Sequence, residues 1–235
     1  MIVVTGGATG IGREVARTFT EQGARVVITG RRRDALIRAA DELGALAVPC
    51  NNAVPEDLDR LRAACSEGVE VLVNNAGGNA AGPVTRGDLP ATARAWQANF
   101  TANVLTAVLT TEALEPLLVD GGRVINLGSI AAGNGSGSYG PAKAAVQSWT
   151  VDLARRLGSR GVTVNSIAPG YISETEFFGA GPSEEKRASL LAATMTQRVG
   201  VPSDIAALTV FLASEAAAHI TGQTLHVNGG ALTTR

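Results

Sequence analysis

A tyrosine and a lysine stand four residues apart, Tyr139 and Lys143, inside the stretch "SYGPAKAAVQSW", whose other members are mostly apolar or small. On a helix this spacing brings both side chains to one face. A free phenol has a pKa of about 10 and is a poor base at neutral pH unless a neighbouring cation favours its ionised form. Lys143 is such a cation. Upstream, Ser129 closes the β-branched run "RVINLGS", where a hydroxyl can donate a hydrogen bond to an oxygen on which negative charge develops. Taken singly, each residue has a plainer explanation. A helical tyrosine is most often half-buried packing, a lysine is most often solvated, and a serine at a strand end usually satisfies backbone.

Whether they act together depends on the elements that carry them. The runs "IVVTG", "RVVITG", "ALAVPC", "VEVLVNNAG", "RVINLGS", "VTVNSIAPG" and "TLHVNGG" read as buried strands closed by Gly, Asn, Pro or Ser. Between them lie alanine-rich helical stretches such as "GREVARTFTEQG", with Val15 and Phe19 on one face and Gly23 placed to end it. This alternation predicts a parallel sheet of about seven strands covered by helices on both faces, a doubly wound α/β fold. Ligands of such sheets bind beyond the carboxyl ends of the strands, which is where the polar residues fall. No repeat or linker divides the 235 residues, so one domain over 1–235 is expected. Residues 173–200 interrupt the alternation with polar, Gly- and Pro-containing sequence and are predicted to form a substrate lid.

The segment "TGGATGIG" follows the first strand and opens the first helix, placing Gly6, Gly10 and Gly12 where backbone turns tightly and approaches a ligand. A pyrophosphate suits the exposed N–H groups of that helix end. The second strand ends at Gly30 and is followed by Arg31, Arg32 and Arg33, with no acid present to accept from a ribose 2′-hydroxyl. Arginine there suits a 2′-phosphate, so NADP(H) is expected over NAD(H), with Arg31 as first contact.

The set of "TGGATGIG" at 5–12, "NNAG" at 74–77, Asn99, Ser129, "YGPAK" at 139–143, "APGYI" at 168–172 and "ITGQTLHVNGG" near the end resembles the short-chain dehydrogenase/reductase family. The resemblance covers essentially the whole chain and is strongest toward 3-oxoacyl-[acyl-carrier-protein] reductase-like members. It implies a Rossmann-type fold and NADP(H)-dependent interconversion of a ketone and a secondary alcohol. In that scheme Tyr139 is the proton donor and acceptor, Lys143 binds the nicotinamide ribose and favours the phenolate, Ser129 polarises the carbonyl, and Asn99 holds a water in a proton relay. Gly6, Thr9, Gly10, Ile11 and Gly12 match the pyrophosphate loop, and Arg31 and Arg32 the 2′-phosphate contacts. Asn51 matches an adenine contact, Asn75, Ala76 and Gly77 the segment behind the ribose, and Pro169, Gly170 and Ile172 the turn lining the nicotinamide. A small-molecule carbonyl or alcohol substrate and a homo-oligomer, tetramer or dimer, are further implications.

Several positions depart from the family pattern. Asn51 stands where an aspartate is usual, Thr9 where many NADP(H)-preferring members carry a basic residue, and Ala102 where glycine is frequent. Only nine residues separate Ser129 from Tyr139, and "PGYISET" sets Thr175 one residue later than the common spacing. The competing reading is a non-catalytic NADP(H)-binding regulatory or scaffold protein on the same fold, which would be expected to lack one of the four polar residues.

Composition bounds the partners. Twenty basic against twenty-one acidic side chains leave no global positive field, so neither nucleic acid nor an anionic membrane is expected. Cys50 and Cys65 lack metal-ligand spacing and are expected to be reduced, and His219 and His226 are expected to be structural; no metal is implied. With no basic leader and no long apolar run, the expectation is a cytoplasmic protein.

Overall fold

The computed structural model of the protein describes residues 1–178 and 181–234. Seven strands are present: β1 (Ile2–Thr5), β2 (Val26–Gly30), β3 (Leu46–Pro49), β4 (Val69–Asn74), β5 (Leu118–Leu127), β6 (Thr163–Pro169) and β7 (Thr224–Val227). They form one sheet in the order β3-β2-β1-β4-β5-β6-β7, and every neighbouring pair is parallel. The doubly wound α/β sheet expected from the alternation is therefore the fold. Strand order reverses between β1 and β4, which opens a crevice at their carboxyl ends.

Helices α1 (Gly10–Glu21), α2 (Arg33–Leu43) and α9 (Pro202–Ala213) cover one face; α3 (Pro55–Ala64), α5 (Thr106–Leu114) and α7 (Tyr139–Leu157) cover the other. The period of two along the strands assigns the side chains. Ile2 and Val4 meet Phe19, Leu36 and Leu212 in one apolar layer, and Val3 meets Leu61, Leu114 and Leu153 in the second. The remaining helices, α4 (Leu89–Phe100), the single turn α6 (Ala131–Asn134) and α8 (Glu184–Ala192), lie nearer the carboxyl edge of the sheet. Between α4 and α5 the chain widens into a π-helical stretch over Thr101–Leu105, a local feature frequent at functional sites.

Below the crevice the second layer turns polar. Thr29 donates to Asn52 at 2.8 Å, Asn52 to Thr110 at 2.9 Å, Asn74 to both Thr111 and Asn126 at 2.9 Å, and Asn126 to Thr150 at 2.9 Å, all buried. Each buried amide or hydroxyl without such a partner would cost about 1–3 kcal/mol, so the belt fixes how strands and helices meet under the site. Cys50 and Cys65 are buried and unpaired, and burial lifts both thiols to about 11. Among the described residues no helix is long and apolar enough to cross a membrane.

Candidate active site

A cleft of about 1490 Å³ opens along the carboxyl ends of the strands. The first six strands each hand over residues at their carboxyl ends: Gly6 and Ala8 to Ile11 at β1, Arg31 and Arg32 at β2, Asn51 at β3, Asn75 to Gly77 at β4, Ser129 at β5, and Pro169, Gly170 and Ile172 at β6. Of the residues singled out in the sequence, Gly12 and Asn99 do not line this space, and each supports it from below.

The turn after β1 is shaped by close approach. Gly6 and Gly10 have φ of 65° and 53°, a left-handed conformation that favours glycine. A Cβ at Gly12 would stand 2.4 Å from the Gly6 carbonyl oxygen and 2.3 Å from Asn75 Nδ2, so the helix starts where nothing larger fits. Asn75 holds the other side, donating to the Thr5 and Gly6 carbonyls at 2.8 and 3.1 Å, while the Thr5 hydroxyl accepts from the Asn75 and Ala76 amides. Helix α1 has no side-chain cap and no acid in its first turn, which leaves its N-terminal N–H groups and partial positive charge facing the cleft. Gly12→Ala is expected to lower the melting temperature by about 5 °C through overpacking, and to weaken dinucleotide binding more than about tenfold. Thermal melting and a cofactor titration check both effects.

At the end of β2 the arginines separate. Arg31 lines the cleft with an exposed side chain. Arg32 is held by Glu176, donating to Oε1 at 3.1 Å and to Oε2 at 2.6 Å, and the Thr9 hydroxyl donates to the same Oε2 at 3.4 Å. The Arg32 hydrogen bonds hold the Glu176 carboxyl below its ordinary value, and Glu176 in turn raises Arg32. Just before Thr175 the backbone turns left-handed at Glu174, φ 58°. Thr175 consequently packs against Gly10, its Cγ2 at 3.4 Å from where a Cβ on that glycine would lie.

The proton-handling residues meet at the start of α7. Tyr139 is 7% and Lys143 5% exposed, both on the buried face of that helix. Burial pushes the Tyr139 phenol up to about 12, and its hydrogen bond with Ser129 pulls the other way. Burial depresses the Lys143 ammonium to about 8; its Nζ donates to the Leu127 carbonyl at 2.7 Å and lies 5.8 Å from the centre of the Tyr139 ring. Desolvation is the largest influence on both groups. At neutral pH the phenol is a proton donor.

Ser129 lies two residues beyond the end of β5 rather than on it, yet the flanking amides of Gly128 and Ile130 still donate to β6, at 2.7 and 3.1 Å. Gln147, one turn after Lys143, donates to the Ser129 carbonyl at 3.3 Å. Asn99 is fully buried, and its amide is committed: Nδ2 donates to Ser138 Oγ at 2.8 Å and Asn79 Oδ1 at 3.2 Å, and Oδ1 accepts from the Ala80 N–H at 2.9 Å. A relay water held by Asn99 would therefore sit on its backbone carbonyl, which also accepts from Asn103 Nδ2 at 3.0 Å.

Three supporting residues were not singled out by the sequence reading. Ser138, beside Tyr139, links Asn99 to the Ala95 carbonyl. Asn103 clasps both backbone groups of Gly78, and a Cβ on Gly77 would meet its Oδ1 at 2.5 Å. Glu176 is the third. Ser138 and Asn103 gave only the signal of a polar residue inside an apolar or small-residue stretch, and Glu176, in a polar segment, gave none.

The cleft fits a phosphorylated dinucleotide on the chain's own terms. Among the described residues, cationic Arg31, Arg32, Arg94, Lys143 and Lys186 line it against the single carboxylate of Glu176, in a protein of net charge −1. Of the "EFFGAG" stretch, the Phe177 ring packs on Tyr139 with centroids 5.3 Å apart; the Phe178 side chain and residues 179–180 lie outside the described residues. His219 and His226 stand away from the cleft, His226 beside Asn228 at 3.3 Å. Among the described residues no cluster of His, Cys, Asp or Glu is placed to hold a metal ion.

Comparison with known proteins points the same way. Residues 6–232 match the family model described as Enoyl-(Acyl carrier protein) reductase. The 3-oxoacyl-[acyl-carrier-protein] reductase FabG of Vibrio cholerae is 37% identical over 240 residues, covering 97% of this chain and 95% of that protein. The crystal structure of a short-chain dehydrogenase/reductase, glucose/ribitol dehydrogenase, from Brucella melitensis aligns with a TM-score of 0.87 at 28% identity, over 99% of this chain and 96% of its own. A blue fluorescent protein from a metagenomic library, solved in complex with NADPH, aligns with a TM-score of 0.86 at 31% identity, over 99% and 97%.

Proposed function

The chain belongs to the short-chain dehydrogenase/reductase family, and from that premise we propose that it interconverts a ketone and a secondary alcohol with NADP(H), on 3-oxoacyl thioesters or carbonyl compounds of similar shape. One observation carries the reading: Tyr139, Lys143 and Ser129 converge at the carboxyl end of β5, inside a cationic cleft behind a glycine-shaped phosphate turn.

When bound, NADP(H) supplies the hydride. The turn of Gly6, Thr9, Gly10 and Ile11, supported by Gly12, holds its pyrophosphate, and Arg31 and Arg32 its 2′-phosphate. Asn51 contacts the adenine, Asn75, Ala76 and Gly77 back the ribose, and Pro169, Gly170 and Ile172 line the nicotinamide. In the reducing direction Tyr139 gives its proton to the substrate oxygen, and the Ser129 hydroxyl, positioned through its backbone by Gln147, donates a hydrogen bond to that oxygen. Lys143 keeps a positive charge in the wall of the site, where the phenolate forms as the proton leaves. Asn99 acts through Ser138 and the 79–80 backbone, keeping the start of α7 in register with the cleft, and its carbonyl offers the place for a relay water.

Residues 173–200 form the substrate lid, with Phe177 as the side chain that touches Tyr139. Trp96 and Leu105, each 43% exposed, and the stacking of Trp96 on Phe100 at 6.3 Å give an apolar flank that supports a homo-oligomer, tetramer or dimer. The test is oxidation of NADPH, followed by its absorbance, with a panel of ketones and 3-oxoacyl thioesters. Turnover of at least one class is expected. Tight NADPH binding without turnover of any of them would favour the scaffold reading.

A further inference from the structure

The acid absent from the end of β2 is delivered there from a distant part of the chain. Glu176 lies 144 residues from Arg32, and its carboxylate takes two hydrogen bonds from the guanidinium and one from Thr9, the residue that opens α1. This two-pronged grip on Arg32 is the one a phosphate monoester would make. The two side chains are 61% and 58% exposed, so the ion pair is weak and exchangeable. Thr175 packed on Gly10, and Glu174 in its left-handed turn, fix the path that carries the carboxylate to this point.

We propose that Glu176 is a selectivity residue for the cofactor, a tethered competitor of the 2′-phosphate for Arg32. A 2′-phosphate must displace the carboxylate and then stands near its negative charge. A ribose 2′-hydroxyl instead donates to the carboxylate while Arg32 stays paired. Glu176 therefore narrows the preference for NADP(H) that Arg31 and Arg32 create. This inference rests on the function proposed above.

Dissociation constants for NADPH and NADH, read from the fluorescence of the reduced nicotinamide, test it without turnover. In E176Q, NADPH is expected to bind about fivefold more tightly, with NADH unchanged or weaker. In R32M the gain from E176Q is expected to vanish, since the competitor then has nothing to compete for. An unchanged NADPH constant in E176Q, or an equal tightening of both cofactors, overturns the inference and leaves the proposed function standing. Failure of the wild-type chain and E176Q alike to bind either cofactor overturns both.

Discussion

Tyr139→Phe is expected to lower turnover by about 10³-fold while moving the NADPH dissociation constant by less than about twofold. The asymmetry follows from what the substitution removes. The ring stays, and with it the packing on Phe177 and against the Lys143 ammonium. Only the hydroxyl is lost, together with its hydrogen bond to Ser129. Because burial holds that phenol at about 12, it is fully protonated through the neutral range, and its removal takes away the proton without altering the charge of the cleft. The α7 backbone is anchored independently, through Ser138 to Asn99 and Ala95, so the cofactor-facing loops keep their positions. Steady-state assay and fluorescence titration of the same purified preparation check the two halves. Near-normal turnover in that variant would refute the assignment of Tyr139.

The sheet was legible because its inner strands β1, β2, β4 and β6 are short apolar runs with both faces buried, so they need no partner to be recognised. Tyr139 and Lys143 were legible as a pair because a helix face is a local geometry fixed by spacing, while Ser129 joined them only through the family resemblance. What spacing could not give is any contact between loops that follow different strands. The run Arg31, Arg32, Arg33 points to Arg31 as first contact, and the fold does leave Arg31 open to the cleft, but nothing in the run shows that Arg32 is bound to Glu176. Asn99 reads as a residue that faces a water, whereas its amide clasps Ser138 and Ala80 across two loops. Helical spacing gave the proximity of Lys143 and Tyr139 but not their desolvation, which is the largest influence on both groups. The late spacing of Thr175 was visible, but only the fold shows the left-handed turn at Glu174 and the packing of Thr175 on the phosphate loop.

Lys143→Met is expected to destroy function and stabilise the fold at the same time. Lys143 is fully buried, and burial lowers its pKa from 10.5 to about 8. The unfolded chain therefore binds this proton more tightly than the native protein does. Below pH 8 both states carry the charge, and the native state bears the whole desolvation cost, about 3 kcal/mol from the size of the shift. Between about pH 8 and 10.5 the native state sheds the proton first, and stability attributable to this group rises with pH; above that range both states are neutral and the cost is gone. Methionine matches the shape of the stem and carries no charge, at the loss of the hydrogen bond to the Leu127 carbonyl, about 1 kcal/mol. The variant should consequently be more stable than wild type by about 2 kcal/mol at pH 7, and the advantage should vanish and reverse slightly above pH 10.5. Tyr139, Cys50 and Cys65, whose pKa values are raised, lower stability as pH climbs through the alkaline range. Cys50 and Cys65 do so alike in both proteins, whereas Tyr139 touches Lys143, so the difference between wild type and variant reports the Lys143–Tyr139 pair. Turnover should fall by at least about a hundredfold, since the charge that faces the forming phenolate is gone. Urea unfolding of both proteins at pH 7 and pH 10.5, alongside the assay, decides the matter. A variant destabilised at pH 7 would mean that the ammonium is held by more than its one carbonyl, and that it is built into the fold as well as into the chemistry.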